Sequence, residues 1–162
     1  MRPASPIARS SLVVLLLLAA CRTAPLENPE PIAVPRGLTA QQVEVAILAG
    51  ILNKPPPDDY RPGGDMDRET FDEFVWHHFL VDARTRSWFP ESRQRGLVVA
   101  AVNTRGHYLK VEIRHDTELV TIQVVESRNL QQSGGRIHKR ALAWLRNLEV
   151  HIRRELGRMA VG

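Results

Sequence analysis

Apolar residues recur with two different periods along this chain, and the change of period marks its elements. Over residues 38–52, Val43, Ile47 and Ile51 share one helical face, while Val45, Leu48 and Leu52 are apolar as well. A helix that is apolar nearly all round is buried on more than one side. Its start is signalled by Thr39 and Gln42, a capping box, and by Leu38 and Val43, a hydrophobic staple. Over 67–84, Phe71, Phe74, Val75, His78 and Phe79 recur at helical spacing and predict a second helix. Asp65, Asp67 and Glu69 at its start and Arg84 and Arg86 at its end suit the helix dipole. Over 136–156, Ile137, Ala141, Trp144, Leu145, Leu148 and Ile152 form one stripe of a third helix, with Gly157 as its stop.

Between the second and third helices the period falls to two. Residues 97–103, 107–115 and 119–127 read as three antiparallel strands. Leu109, Val111 and Ile113 alternate with Tyr108, Lys110, Glu112 and Arg114. Val120, Ile122 and Val124 alternate with Thr121 and Gln123. A tight loop at Asp116-Thr117 predicts Ile113 opposite Val120, Val111 opposite Ile122 and Leu109 opposite Val124, which puts every apolar partner on one face. Val98, Ala100 and Val102 join that face. Val99 and Ala101 point to the other face, where the Phe-rich helix is the expected cover. Trp88-Phe89 predicts a short edge strand, with Pro90 limiting its pairing. The polar face, with Lys110, Glu112, Arg114, Thr121 and Gln123, is balanced in charge and reads as a solvent face. The predicted fold class is α+β: a three- or four-stranded antiparallel β-meander packed by the N- and C-terminal helices, with an inserted helix. It forms a single domain over 38–158.

Proline and glycine punctuate the rest. Pro55-Pro56-Pro57, Pro62 and Gly63-Gly64 break structure over 53–64. Pro25, Pro29, Pro31 and Pro35 make residues 21–37 a semi-stiff tether in this reading. Ahead of it, Arg2 and Arg9 precede an unbroken apolar run, residues 12–20. A membrane-crossing helix needs roughly 20 apolar residues, so this run is too short for one. A basic leader, a short apolar run and small residues at a cleavage point make a signal peptide over 1–20. Leu18-Ala19-Ala20-Cys21 resembles the lipobox of bacterial lipoproteins. That resemblance implies cleavage before Cys21, acyl chains on its thiol, and a membrane contact through that lipid. Several chains together anchor stably where one does not. Arg22, in place of the Asp that favours inner-membrane retention, points to the outer membrane, facing the periplasm.

Charge and cysteine content narrow the partners. The 162 residues include 22 basic and 18 acidic ones; without Arg2 and Arg9 the balance is 20 against 18, a net charge of +2. So small an excess gives no nucleic-acid signature. Cys21 is the only cysteine, so an acylated chain keeps no thiol for a disulfide, a nucleophile or a thiolate metal site.

The order Arg105-x-His107, Val111-x-Ile113, Ser127-x-Asn129-Leu130, Ile137-His138 and Trp144 resembles a family of small uncharacterised proteobacterial lipoproteins. The likeness covers residues 97–152 and, more weakly, 38–52. It implies a helix, a β-meander and a closing helix. Ala141-Leu142 replace the Tyr-Asn of that pattern, and 53–86 stands as an insertion in it. The resemblance implies an address and a fold, and no reaction.

Four features carry candidate chemistry. Glu73/His77 and His78/Asp82 have the i, i+4 spacing of metal ligands, but no third ligand is evident and no metal or other cofactor is expected. Ser127, Asn129 and His138 invite a hydrolase reading, yet no Gly-x-Ser-x-Gly elbow occurs. The simpler expectation is that Ser127 and Asn129 hydrogen-bond the loop backbone and His138 ties the third helix to that loop. Gly134-Gly135-Arg136 could cradle an anion or be a turn. Arg136, Lys139, Arg140, Arg146, Arg153 and Arg154 give the third helix a basic face that could meet anionic lipid, lipopolysaccharide or an acidic protein, or simply be solvated. The combined expectation is a lipid-anchored, non-enzymatic envelope protein that acts as a binding or assembly module.

Overall fold

The computed structural model describes residues 22–57, 60, 66–81, 88–131 and 133–161. Cys21 and the leader lie outside the described residues, as do Asp65, Asp82, Arg84 and Arg86. In chain order the elements are β1 (Thr23–Pro25), β2 (Ile32–Ala33), α1 (Ala40–Leu52) and α2 (Arg68–Val75). They continue as a π-helical turn (Trp76–Leu80), β3 (Trp88–Gln94), β4 (Leu97–Thr104), β5 (His107–His115), β6 (Leu119–Arg128), β7 (Arg136–His138) and α3 (Lys139–Met159). One sheet has the order β2-β6-β5-β4-β3, and β1 pairs with β7 in a separate two-stranded ribbon. The fold is α+β around an antiparallel meander.

Helix α1 is the centre of the molecule. Every residue from Gln42 to Leu52 is buried, between the sheet on one side and α3 on the other. Both halves of its capping box form: Thr39 Oγ1 accepts from the Gln42 amide at 3.3 Å, and the Thr39 amide donates to Gln42 Oε1 at 2.7 Å. Gly50 is where α1 and α3 touch. A Cβ there would lie 2.8 Å from the N, Cα and Cγ1 of Ile152, closer than real contacts allow.

The three meander strands keep their sequence-predicted ends to within a residue, but the β5–β6 register differs. Ile113 pairs with Ile122 and Val111 with Val124, two residues from the expected partners, and His115 pairs with Val120. A shift of two preserves every inward face, so the apolar pattern is blind to it. The turn decides it. The Asp116 carboxylate accepts from the amides of Glu118 and Leu119 at 2.7 and 2.8 Å, which closes the hairpin tightly. Further along, a register irregularity next to Val111 leaves Val125 without a partner opposite, and its side chain is exposed.

Four further expectations are corrected. Strand β3 runs well past Pro90, because the register shift between Pro90 and Ser92 absorbs the proline and pairing then resumes. The Phe-rich helix does not cover the far side of β4. Its Phe71, Val75 and Phe79 join the main core, and Ala101 is buried on the other side opposite Phe89 and Lys110. Residues 136–138 form β7 before α3 starts, and α3 passes through Gly157 to Met159, since Gly157 keeps a regular helical backbone. Residues 22–36 are not a free tether. Ile32 and Val34 are buried, β2 pairs with the edge of β6, and Asn28 Oδ1 accepts from the Val124 amide at 2.9 Å. The prolines limit this segment to two short strands without preventing it from packing.

Candidate functional site

The loop from β6 to β7 brings together most of the sequence-predicted polar residues. Asn129 adopts a left-handed backbone (φ 57°), which Asn tolerates better than most side chains. Its Nδ2 donates to the Gly106 carbonyl at 2.7 Å, and its own carbonyl accepts from His107 Nδ1 at 2.6 Å. Asn129 thus clips the β4–β5 turn to the β6 exit. Leu130 is buried beneath the loop, and its carbonyl accepts from the His138 amide at 2.9 Å. His138 caps α3: its Nδ1 accepts from the Arg140 amide at 3.1 Å. Ser127 is half-buried opposite Leu109 on β5. Trp144 is half-buried against the core rather than presented to solvent.

The basic residues of α3 divide into two groups. Towards its C-terminal end, Arg153 pairs with Glu149 at 2.7 Å, and Arg154 pairs with the buried Glu155 at 2.8 Å. Arg154 also donates to Asn53 Oδ1 at 3.0 Å, and Arg158 reaches Glu155 at 3.2 Å. These arginines knit α3 to itself and to the end of α1. Lys139, Arg140 and Arg146, at the other end, are exposed and have no acidic partner among the described residues. Arg136 is exposed and donates to the Thr23 carbonyl at 2.9 Å and to its Oγ1 at 3.3 Å.

The histidines of the π-helical turn point different ways. Glu73 and His77 are exposed beside Trp76, whereas the His78 ring sits 4.8 Å from that of Phe74 and its carbonyl accepts from Lys54 Nζ at 2.5 Å. Among the described residues no three His, Cys, Asp or Glu side chains converge as a metal site would require.

Two polar clusters and one buried histidine were missed by sequence reasoning. Buried Glu44 of α1 accepts from Arg93 Nε of β3 at 2.7 Å, and Arg93 Nη1 reaches Asp72 of α2 at 2.5 Å. The guanidinium lies 5.3 Å from the centre of the Phe71 ring. Burial pushes the Glu44 carboxyl above its ordinary value, against the opposing pull of Arg93. Asp72 is also partly desolvated, but Arg93 and Arg68 hold it below the usual carboxylate range. On the outer sheet face, Tyr108 donates to Glu91 at 2.8 Å, Lys110 reaches Glu91 at 2.8 Å, and Arg128 lies 4.3 Å from the Tyr108 ring centre. Burial and Glu91 raise the Tyr108 phenol, and the bond to Glu91 raises Lys110 further. His115 ends β5 at an inward position, only 8% exposed, with neither ring nitrogen hydrogen-bonded. Burial lowers it to about 4, although Asp116 pulls the other way. One signal was available: His115 falls on the same parity as Leu109, Val111 and Ile113.

Fold and loop together define a compact α+β meander domain in which Asn129 and His138 of the β6–β7 region hold segments to one another. The chain matches no protein-family model, no curated protein and no solved structure.

Proposed function

We propose that the protein is a lipid-anchored lipoprotein of the bacterial cell envelope, held in the outer membrane on the periplasmic side, and that its domain is a non-enzymatic binding or assembly module. The observation that carries this reading is Leu18-Ala19-Ala20-Cys21, where an apolar run too short to span a bilayer ends in a cysteine. No helix among the described residues is long and apolar enough to cross a membrane, so a lipid would be the means of attachment this reading requires. The loop chemistry favours scaffolding over hydrolysis. His138 Nδ1 accepts a hydrogen bond from an amide, so the neutral ring carries its proton on Nε2 and offers no free basic nitrogen to Ser127. The Asn129 amide, the neighbouring group with which such a pair would be oriented, is spent on Gly106.

Growth with labelled palmitate tests the anchor. The wild-type chain takes up label and sediments with membranes. The Cys21→Ala variant takes up none and leaves the membrane fraction. Equal labelling and equal sedimentation of the two would overturn the reading.

A further inference from the structure

The first residues after Cys21 have no slack. The Arg22 carbonyl accepts from the Lys139 amide at 2.9 Å, Thr23 pairs with His138 and Pro25 with Arg136, and the Leu26 amide donates to the Gly135 carbonyl at 2.8 Å. A peptide bond spans about 3.8 Å between Cα atoms, so a group attached one residue before Arg22 starts close to Arg22. Acyl chains on Cys21 therefore leave the molecule beside the start of α3. Four exposed cations surround that point: Arg22, Arg136, Lys139 and Arg140. Arg136 is bonded only to neutral oxygens, and the other three have no acidic partner among the described residues. The nearest acidic residue in sequence, Glu27, lies past the end of the β1–β7 ribbon. The first turn of α3 holds no acidic residue, the reverse of what its dipole favours. A positive helix start ringed by cations is complementary to an anionic surface.

We propose that this end of the domain rests directly on anionic phospholipid headgroups, so that the anchored protein is held in one orientation and not on a leash. The inference depends on Cys21 being acylated, because the acyl chains are what bring headgroups to this end. Each cation so placed strengthens the contact roughly five-fold at an anionic surface. The contact weakens with salt, since charges at a wet surface are screened beyond about 10 Å at 0.1 M. The β5–β6 turn marks a remote reference point. Asn129 and His107 join the β4–β5 turn to the loop before β7, and β5 runs nine residues away from there, roughly 30 Å, to the turn at Thr117.

The test uses the full lipid-modified chain in vesicles of phosphatidylglycerol and phosphatidylcholine. A fluorophore is attached to Ala143→Cys, on the exposed side of α3, or to Thr117→Cys, and a nitroxide lipid carries the quencher in its headgroup. The expected result is strong quenching at position 143, little at 117, and loss of the difference in high salt or in vesicles of phosphatidylcholine alone. A triple variant, Arg22→Glu, Lys139→Glu and Arg140→Glu, should lose quenching at 143 while staying membrane-bound. Arg136 is spared because it holds β1. Equal quenching at both positions in an acylated, membrane-bound protein overturns the proposal and leaves the anchor standing. A chain that carries no acyl group overturns both.

Discussion

Gly50 and His115 show how single residues set the limits of this fold. At Gly50, α1 and α3 are in backbone contact, and a methyl group has nowhere to go. Gly50→Ala should cost about 3 kcal/mol in denaturant unfolding, the upper range for overpacking. Truncating the Ile152 side chain should recover only part of that, because two of the three close atoms are backbone. His115 works through protonation. Its folded-state value, about 4, lies below the ordinary 6.5, so the unfolded chain binds the proton more tightly. Its contribution is complete above pH 6.5 and is lost as pH falls towards 4. A gap of that size corresponds to about 3 kcal/mol. His115→Leu should flatten the stability profile over that interval, measured by urea unfolding at a series of pH values. An unchanged slope would mean the ring is not the group responsible.

A charge network centred on Arg93 and buried Glu44 joins three elements. Arg93 of β3 holds Glu44 of α1 and Asp72 of α2 together, with Phe71 packed against the guanidinium. Removing one member of a buried pair strands the other, at about 3–5 kcal/mol. Arg93→Met should therefore destabilise strongly at neutral pH, and adding Glu44→Leu should restore most of the loss. A double variant no better than the single one would show that Glu44 is not the stranded charge. The Glu44 pair also has a pH signature opposite to that of His115. Its folded carboxyl titrates above 4.5, so the folded state favours the proton and stability declines as pH rises from 4.5 through the raised value.

The limits of β4, β5 and β6, the α1 cap and the inward faces of the meander were legible in the sequence, because period and capping are local signals. The β5–β6 register was not, because a shift of two leaves every face unchanged and only the bonds of Asp116 choose between them. Nor was the packing of residues 22–36. Proline content marks that segment as extended, but only the open edge of β6 shows where an extended segment goes. Ile32→Ala should cost about 2–4 kcal/mol by opening a cavity at that edge. A neutral outcome in thermal unfolding would return the segment to the status of a linker.

At the scale of the whole molecule, two facts bear on function. The polar residues singled out by the sequence, Asn129 and His138, serve as fasteners between the β4–β5 turn, the β6–β7 loop and α3. The basic face splits, with Arg153 and Arg154 paired internally and Lys139, Arg140 and Arg146 without an acidic partner among the described residues. Ionic surface pairs contribute little to stability, so the free group is available to binding at small cost to the fold. Charge reversal at Arg146 should leave the unfolding free energy within about 0.5 kcal/mol of wild type. The role proposed for the protein turns on what covalently occupies its first mature residue. Intact-mass analysis of the chain extracted from cell envelopes measures that directly. The account predicts a polypeptide beginning at Cys21 and heavier than its sequence by the mass of its acyl groups. A chain that still begins at Met1, or one cut elsewhere and carrying no lipid, would contradict it.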